Sequence, residues 1–302
     1  MSFARIYNTL CPYTGKKLID LVSDLEHVLP AGLGAPKKFG VMASEEMNKI
    51  FNKSIDEPFL LEPFVRFISA TNGVKSRSGK VVFSQKVTDE IYNEDVIVKF
   101  DSDNFTPQMM VPIRRGDDGE INAVVGYGDD AEIELEKIGK KLKSKGKTIV
   151  GKQFVTRSSN PLKINLSMDL NLFYLEQLKI AYLVAVFTFG DVIITSEQGR
   201  NIVKCLNNGV LENTNMQLNW SFLPEYLHPK TDKNIHTLFC FKTGEYVAVG
   251  ISLFGKFTSS IFFMLSESLG NDNIGGVFYL DYKNNKMQVK DFVDHIIEVT
   301  AL

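Results

Sequence analysis

The sequence predicts an α+β fold, and three observations point to it. Short β-type runs separated by turn residues fill the middle and the last third of the chain. Residues 168–190 are apolar nearly all round after Lys179, which predicts a buried helix at a domain centre. The N-terminal part has the order hairpin, loop, helix, which predicts a ββα unit. A mixed region with antiparallel strands around the central helix is expected to follow it.

Length and composition are those of a globular protein. The chain has 302 residues, of which 44% are hydrophobic and 23% charged. We expect three domains, with boundaries at 1–72, 73–150 and 151–302. The net charge of −2 argues against a generically basic nucleic-acid coat, but it allows a local basic face.

The predicted location is the cytoplasm. The three cysteines are far apart and odd in number, which favours a reducing compartment without a disulfide framework. The N-terminus has no apolar run suited to a signal peptide. The longest apolar run, 180–189, is about half of what a bilayer span needs, so no membrane association is expected.

The N-terminal elements follow from local pattern. Leu18 to Leu29 alternates loosely and predicts a strand that ends at Pro30. Residues 31–40 are loop by composition, with two glycines, Pro36 and paired lysines. Ser44 starts a helix with acidic residues in its first turn, and Pro58 stops or kinks it. A second helical stretch covers 59–73.

The later elements are also predicted from local sequence patterns. Runs at 81–83, 96–100 and 110–113 predict strands, and 116–119 predicts a hairpin turn. Residues 129–147 predict a charged helix, acidic first and lysine-rich last, which is either a solvated face or a phosphate contact. A helix is expected at 197–207. Five β-type runs begin near Ile235, and a helix closes the chain.

The candidates for chemistry are few. Of the four histidines, His228, His236 and His295 are expected to be structural. No nucleophile elbow of the G-x-S-x-G kind, no phosphate loop and no His/Cys cluster with zinc spacing occurs. His27 differs because Glu26 stands beside it, and a carboxylate next to an imidazole can hold a cation and a general base at one point. The alternative is a surface pair at a strand end.

The surroundings of His27 carry a resemblance. The run Glu26-His27-Val28-Leu29-Pro30, then Gly32-Leu33-Gly34, then Asn48 and Ile55-Asp56, resembles the HNH (ββα-metal) endonucleases. The subgroup concerned has E-H-V-I-P-x-x-L-G-G and C-x-x-C-N motifs. Later stretches, 178–190, 199–201, 208–209 and 251–255, resemble the region that often follows this motif.

The structural zinc of that subgroup has mostly lost its ligands here. Cys11-Pro-Tyr-Thr14 falls on the first zinc knuckle and Ser44-Glu-Glu-Met47 on the second. Only Cys11 keeps a cysteine, and one thiol cannot hold a tetrahedral zinc. No structural zinc is therefore expected, and packing must replace it.

The resemblance implies a metal-dependent DNA endonuclease, in bacterial defence or phage conflict. It makes His27 the base that activates water, and Glu26 and Asn48 the ligands of one Mg²⁺ (or Mn²⁺), leaving a 5′-phosphate and a 3′-hydroxyl. Asn52 and Asp56 are lesser candidates for a third ligand or for orienting His27. DNA contacts are expected from Lys16, Lys17, Lys37 and Lys38, whose alternative role is solubility.

Two other hypotheses stay open. The lost cysteines favour a catalytically decayed HNH-like module that binds nucleic acid or protein. The large remainder of the chain is compatible with an effector that needs a protein partner or activator. The lysine-rich half of the charged helix and a modest basic cluster, Lys75, Arg77, Lys80 and Lys86, add possible phosphate contacts.

Overall fold

A computed structural model describes residues 5–76, 79–89, 94–103, 108–110, 113–124, 130–147, 162–212, 214–264 and 274–301. Arg77 and Asp129, which the predictions include, lie outside these ranges. The structure confirms the mixed α+β class, with antiparallel sheets and a helix buried in the core.

The N-terminal part begins with a hairpin followed directly by a helix. Strands β1 (Ser23–His27) and β2 (Gly40–Ser44) pair antiparallel, and His27 lies opposite Gly40. Helix α1 (Glu45–Phe51) starts after Ser44, whose hydroxyl accepts a hydrogen bond from the Met47 amide at 3.5 Å. The helix predicted to start at Ser44 is confirmed. The predicted strand from Leu18 is shorter, because 18–20 form a 3₁₀ turn.

Pro58 does not break the helical path. A π-helical turn, Asn52–Asp56, leads from α1 into α2 (Glu57–Leu61), and α3 (Pro63–Asn72) follows. Pro58 is the second residue of α2 and comes directly after the π-helical turn. The helical path is interrupted at Glu62, whose ψ of 130° is not helical.

The middle of the chain is built from small antiparallel sheets and the charged helix. The hairpin predicted around 116–119 is confirmed between β8 and β9. The elements, in order, are β3 (Lys75–Ser76), β4 (Gly79–Lys80), β5 (Phe83–Asp89), β6 (Glu94–Phe100), β7 (Gln108–Met110), β8 (Ile113–Arg115), β9 (Ile121–Val124) and α4 (Asp130–Lys143).

The last third holds the largest described sheet and the central helix. The sheet has the order β12-β11-β10-β13-β14 and is antiparallel throughout. Its elements and the helices around it are α5 (Leu170–Phe189), α6 (Asp191–Thr195), α7 (Glu197–Asn208), β10 (Ile235–Thr243), β11 (Tyr246–Leu253), β12 (Phe257–Met264), β13 (Gly275–Asp281), β14 (Lys286–Asp291) and α8 (Phe292–Thr300).

Helix α5 lies at the centre of the core. It is the one described helix with the length and apolarity to cross a membrane, and 89% of its apolar window is buried inside the protein. The core around it takes side chains from the first and the last predicted domain alike, for example Phe51 and Tyr282. The division into three domains stays a prediction.

The loop between β1 and β2 is anchored to the C-terminal sheet. Neutral His236 holds it, with Nε2 donating to the Leu33 carbonyl and Nδ1 accepting from the Phe254 amide, both at 3.1 Å. Burial lowers the pKa of His236 to about 4, which favours this neutral form. Gly34 has φ +82°, and a Cβ there would lie 2.6 Å from the Tyr282 carbonyl oxygen, so glycine is required.

Candidate functional site: two faces of the first strand

Glu26 and His27 lie on opposite faces of β1. Successive side chains of a strand alternate, so Glu26 points toward the core while His27 points away from it. Glu26 is 2% exposed and lies across from buried Val41. His27 is only partly buried. Neighbours in sequence are therefore not neighbours at one site.

The Glu26 carboxylate is bound by residues from two other segments. Its Oε1 lies 2.6 Å from the Lys179 ammonium nitrogen and accepts a hydrogen bond from the Tyr13 hydroxyl at 2.8 Å. Lys179 lies on the central helix α5 and is 2% exposed. The same ammonium donates to Asp56 Oδ1 at 2.6 Å, so it bridges two carboxylates.

A third acid completes this buried group. Glu176 precedes Lys179 by three positions on α5, so both side chains lie on one helix face, and Glu176 is 0% exposed. Burial, and then the neighbouring Asp56 carboxylate, raise the pKa of Glu176 well above its usual value. We call Tyr13, Glu26, Asp56, Glu176 and Lys179 the buried ion cluster.

The cluster holds Lys179 in its charged form. Burial alone would lower the pKa of Lys179, but Asp56, Glu26 and Glu176 outweigh burial and raise it. Burial raises the pKa of Glu26 against the opposing pull of Lys179. Burial, and then the Glu26 charge, raise the pKa of Tyr13, which therefore stays a hydrogen-bond donor.

This arrangement does not fit a divalent cation at Glu26. The Lys179 ammonium already lies at hydrogen-bond distance from Glu26 Oε1, and it would repel a divalent cation bound to the same carboxylate. Among the described residues, no group of three or more His, Cys, Asp or Glu side chains is arranged to hold a metal ion. The structure thus places Glu26 in an internal ion pair.

The other predicted ligands each have hydrogen-bond or ion-pair partners within the protein. Asn48 on α1 donates from its amide to the Leu25 carbonyl at 3.5 Å, which ties the helix to β1 next to Glu26. Asn52 donates to Glu57 at 3.0 Å on the exposed side of the following turn. Asp56 joins Glu26 only through Lys179.

The two knuckle-like stretches do meet in space. The Ser44 amide donates to the Cys11 sulfur at 3.3 Å, and Cys11 is fully buried. Residues 11–16 form a tight turn in which the Gly15 amide donates to the Cys11 carbonyl at 2.9 Å. The rings of Tyr13 and Phe51 pack with centroids 4.4 Å apart. Side-chain packing and this one N–H to sulfur contact join the stretches.

The predicted DNA-contacting lysines are all exposed. Lys16 and Lys17 follow the tight turn of the first knuckle-like stretch, and Lys37 and Lys38 lie on the loop between β1 and β2. The two pairs are therefore carried by different segments. Exposure is compatible with either phosphate contact or solubility.

The remaining histidines bind main-chain atoms. His228 Nε2 contacts the carbonyls of Trp220 and Leu223 at 3.2 and 2.8 Å, and His295 Nε2 contacts that of Leu227 at 2.9 Å. With His236 they have the structural surroundings that the sequence predicted.

Sequence reasoning missed Lys179, Glu176 and Tyr13 as partners of Glu26. A signal was present, because Glu176 and Lys179 interrupt a helix that is otherwise predicted to be buried. Charges at buried positions are nearly always paired, so partners had to exist elsewhere in the chain.

Comparisons with protein-family models, with curated proteins and with solved structures gave no match.

Proposed function

We propose that the chain is an HNH-type hydrolase that cleaves phosphodiester bonds in DNA, with His27 as general base. The proposal rests on the resemblance around His27, and contacts between stretches that the resemblance includes support it. Cys11 of the first knuckle-like stretch touches Ser44 of the second. Lys179 of the later resembling stretch contacts Glu26 and Asp56 of the motif. Strand, strand and helix also follow each other in the order of a ββα unit.

His27 has the chemistry for the base, and its side chain is partly buried, with Nδ1 shielded from solvent. A neutral imidazole accepts a proton near pH 7, and the side chain lies on the face of β1 that points away from the core. In this proposal His27 takes the proton from a water molecule that attacks the phosphorus atom. The bond between phosphorus and the 3′-oxygen breaks, and this oxygen takes a proton from solvent, which leaves a 5′-phosphate and a 3′-hydroxyl. Glu26 has a different task from the one the resemblance implies, since its ion pair with Lys179 fixes the strand that carries His27.

The test is a plasmid-nicking assay on the purified chain with Mg²⁺, with Mn²⁺ and with EDTA. We expect nicking by the wild type and a loss of about 10²- to 10⁴-fold in His27→Ala, the range for removing a general base. Ser23→Ala is the matched control, because Ser23 lies on the same face of β1 and has no base. The EDTA arm decides separately whether any divalent ion is needed.

Two outcomes would reject the hydrolase. One is a wild-type chain that nicks under none of these conditions. The other is a nicking activity that His27→Ala and Ser23→Ala reduce equally, since the activity would then not depend on a base at position 27.

One observation favours a second candidate, a module that binds nucleic acid without cleaving it. The Glu26 carboxylate already has Lys179 and Tyr13 as partners, so the ligand set that the resemblance implies is incomplete. This candidate predicts oligonucleotide binding by the wild type that does not require a divalent ion, together with no cleavage.

A further inference from the structure

We propose that a pocket at the loop end of the β1–β2 hairpin holds a backbone phosphate of a nucleic-acid strand. The pocket has a volume of about 530 Å³. We call it the lysine pocket. It is lined by Ala31, Ala35, Lys37, Lys75, Ser76 and Asn285. The choice of a nucleic acid rests on the proposed function, whereas the anion site follows from the lining itself.

The pocket lies at the same end of the hairpin as His27. His27 and Gly40 are the last pair of the β1–β2 ladder, and the loop that leaves this pair supplies one wall of the pocket. Ala31 follows His27 by four positions. The loop that begins after His27 therefore reaches the pocket wall within four residues.

The walls are held together by hydrogen bonds between three segments. With its side-chain amide turned so that the nitrogen faces them, Asn285, in the turn between β13 and β14, donates to the carbonyls of Gly34 and Lys75, both at 3.1 Å. The Lys75 amide donates in turn to the Tyr282 carbonyl at 3.2 Å. Asn285 has a φ of +51°, a conformation that asparagine tolerates better than most residues. The backbone that carries the lysines is thus fixed before any ligand arrives.

The charge of the pocket is positive. Its described lining contains two lysines and no carboxylate. Lys75 also lies directly opposite Lys80 across the β3–β4 hairpin, and like charges in that position are unfavourable. Asp103 forms an ion pair with Lys80, outside the pocket lining. The Asp103 carboxylate also interacts with the charge of Lys75, and Lys37 adds a second positive charge to the lining.

The size and the donors suit a phosphate with its attached sugar. Ligand pockets usually measure about 300–1,000 Å³ and combine apolar walls with a few polar groups. Lysine binds phosphate as a point charge, and it needs no metal to do so. Two phosphate-contacting lysines also predict a measurable salt dependence, since each released counterion steepens the fall of binding with salt.

The test is fluorescence-anisotropy binding of a labelled single-stranded DNA oligonucleotide to the full chain in EDTA, so that binding is measured without metal-dependent cleavage. We expect Lys37→Ala/Lys75→Ala to weaken binding at least tenfold at low salt. The slope of log affinity against log salt should fall by about 1.4, at roughly 0.7 for each single-strand phosphate contact. Lys204→Ala/Lys256→Ala removes the same charge from exposed positions elsewhere and should bind like the wild type.

Competition identifies the source of the phosphate. Unlabelled oligonucleotide should displace the probe far better than equal concentrations of a mononucleotide or inorganic phosphate. The proposal is overturned if the wild type does not bind, if both double variants bind equally, or if inorganic phosphate competes as well as the oligonucleotide. Oligonucleotide binding that needs the pocket, together with no nicking, would reject the hydrolase and leave the pocket standing.

Discussion

The two faces of β1 carry adjacent residues with opposite surroundings. Glu26 is buried, ion-paired to Lys179 and hydrogen-bonded to Tyr13. His27 lies on the other face, at the end of the strand where the loop of the lysine pocket begins. One face of the strand therefore contributes to the architecture, and the other is where we propose the chemistry.

The comparison shows what a pair of adjacent polar residues means on a strand. Alternation separates the two side chains, so they act together only where the strand is distorted or where both faces reach solvent. Burying the Glu26 carboxylate on the inner face costs desolvation free energy. The charged partner, Lys179, offsets that cost. The net contribution of the Glu26–Lys179 ion pair to the free energy of unfolding is small. Removing one partner costs much more, because it leaves the other charge buried and unpaired.

The largest expected effect comes from removing the cation of the inner face. Lys179→Met keeps the length of the side chain and leaves Glu26 and Asp56 as uncompensated buried carboxylates. We expect a loss of about 3–5 kcal/mol in the free energy of unfolding, measured by urea denaturation. Lys49→Met removes the cation of an exposed pair with Glu45 and should leave stability near that of the wild type.

Removing the charges of Glu26 and Asp56 as well tests whether unpaired buried carboxylates cause the loss of stability in Lys179→Met. The triple variant Lys179→Met/Glu26→Gln/Asp56→Asn should regain part of the loss, because no buried charge is left unpaired. A stability of Lys179→Met equal to that of Lys49→Met would show that the buried ion cluster is not formed in solution.

A smaller effect is expected from the third acid of the cluster. Because the pKa of Glu176 is raised in the folded protein, the folded state binds its proton more tightly than the unfolded state. This group therefore lowers stability as pH rises above about 4.5, by about 1.4 kcal/mol per pH unit until the folded pKa is passed. Glu176→Gln removes the titrating group, and with it that dependence, at nearly the same side-chain size.

The measurement is urea denaturation of wild type and Glu176→Gln between pH 5 and 8. We expect the variant to be the more stable chain at pH 8, with a difference that shrinks toward pH 5. Glu176→Asp keeps the carboxyl and should retain a pH dependence. A variant less stable than wild type at pH 8 would mean that the cluster needs an ionised Glu176.

The smallest expected effect on stability lies on the outer face. His27→Ala should change the free energy of unfolding by less than about 1 kcal/mol, because the side chain is only partly buried. Glu26→Ala, one position earlier, should lower the free energy of unfolding by more, since it removes one of the two carboxylates that pair with buried Lys179. Equal losses in the two variants, measured by urea denaturation, would contradict the division of β1 into two faces.

Much of the secondary structure was predictable because its causes are local. The cap at Ser44, the apolar run after Lys179 and the hairpin turn at 116–119 each mark an element that the structure contains. The strand from Leu18 was predicted too long, because loose alternation does not distinguish a strand from a 3₁₀ turn beside it.

The partners of the site residues were less predictable. Glu26 and Asp56 were expected around a cation, and the structure places the ammonium of Lys179 between them. Lys179 lies 123 positions after Asp56, and no local pattern connects the two residues. The same holds for Asn285, which brings the loop after β1 to Lys75.

The sequence by itself determined the α+β class, the central apolar helix, and the choice of Glu26 and His27 as residues to follow. Tertiary structure alone decided that these neighbours separate, with Glu26 in the core beside Lys179 and His27 on the outer face. The physical reason is that propensity, capping and turn chemistry act over a few residues. The pairing of a buried charge depends instead on which segment folding brings within hydrogen-bond distance.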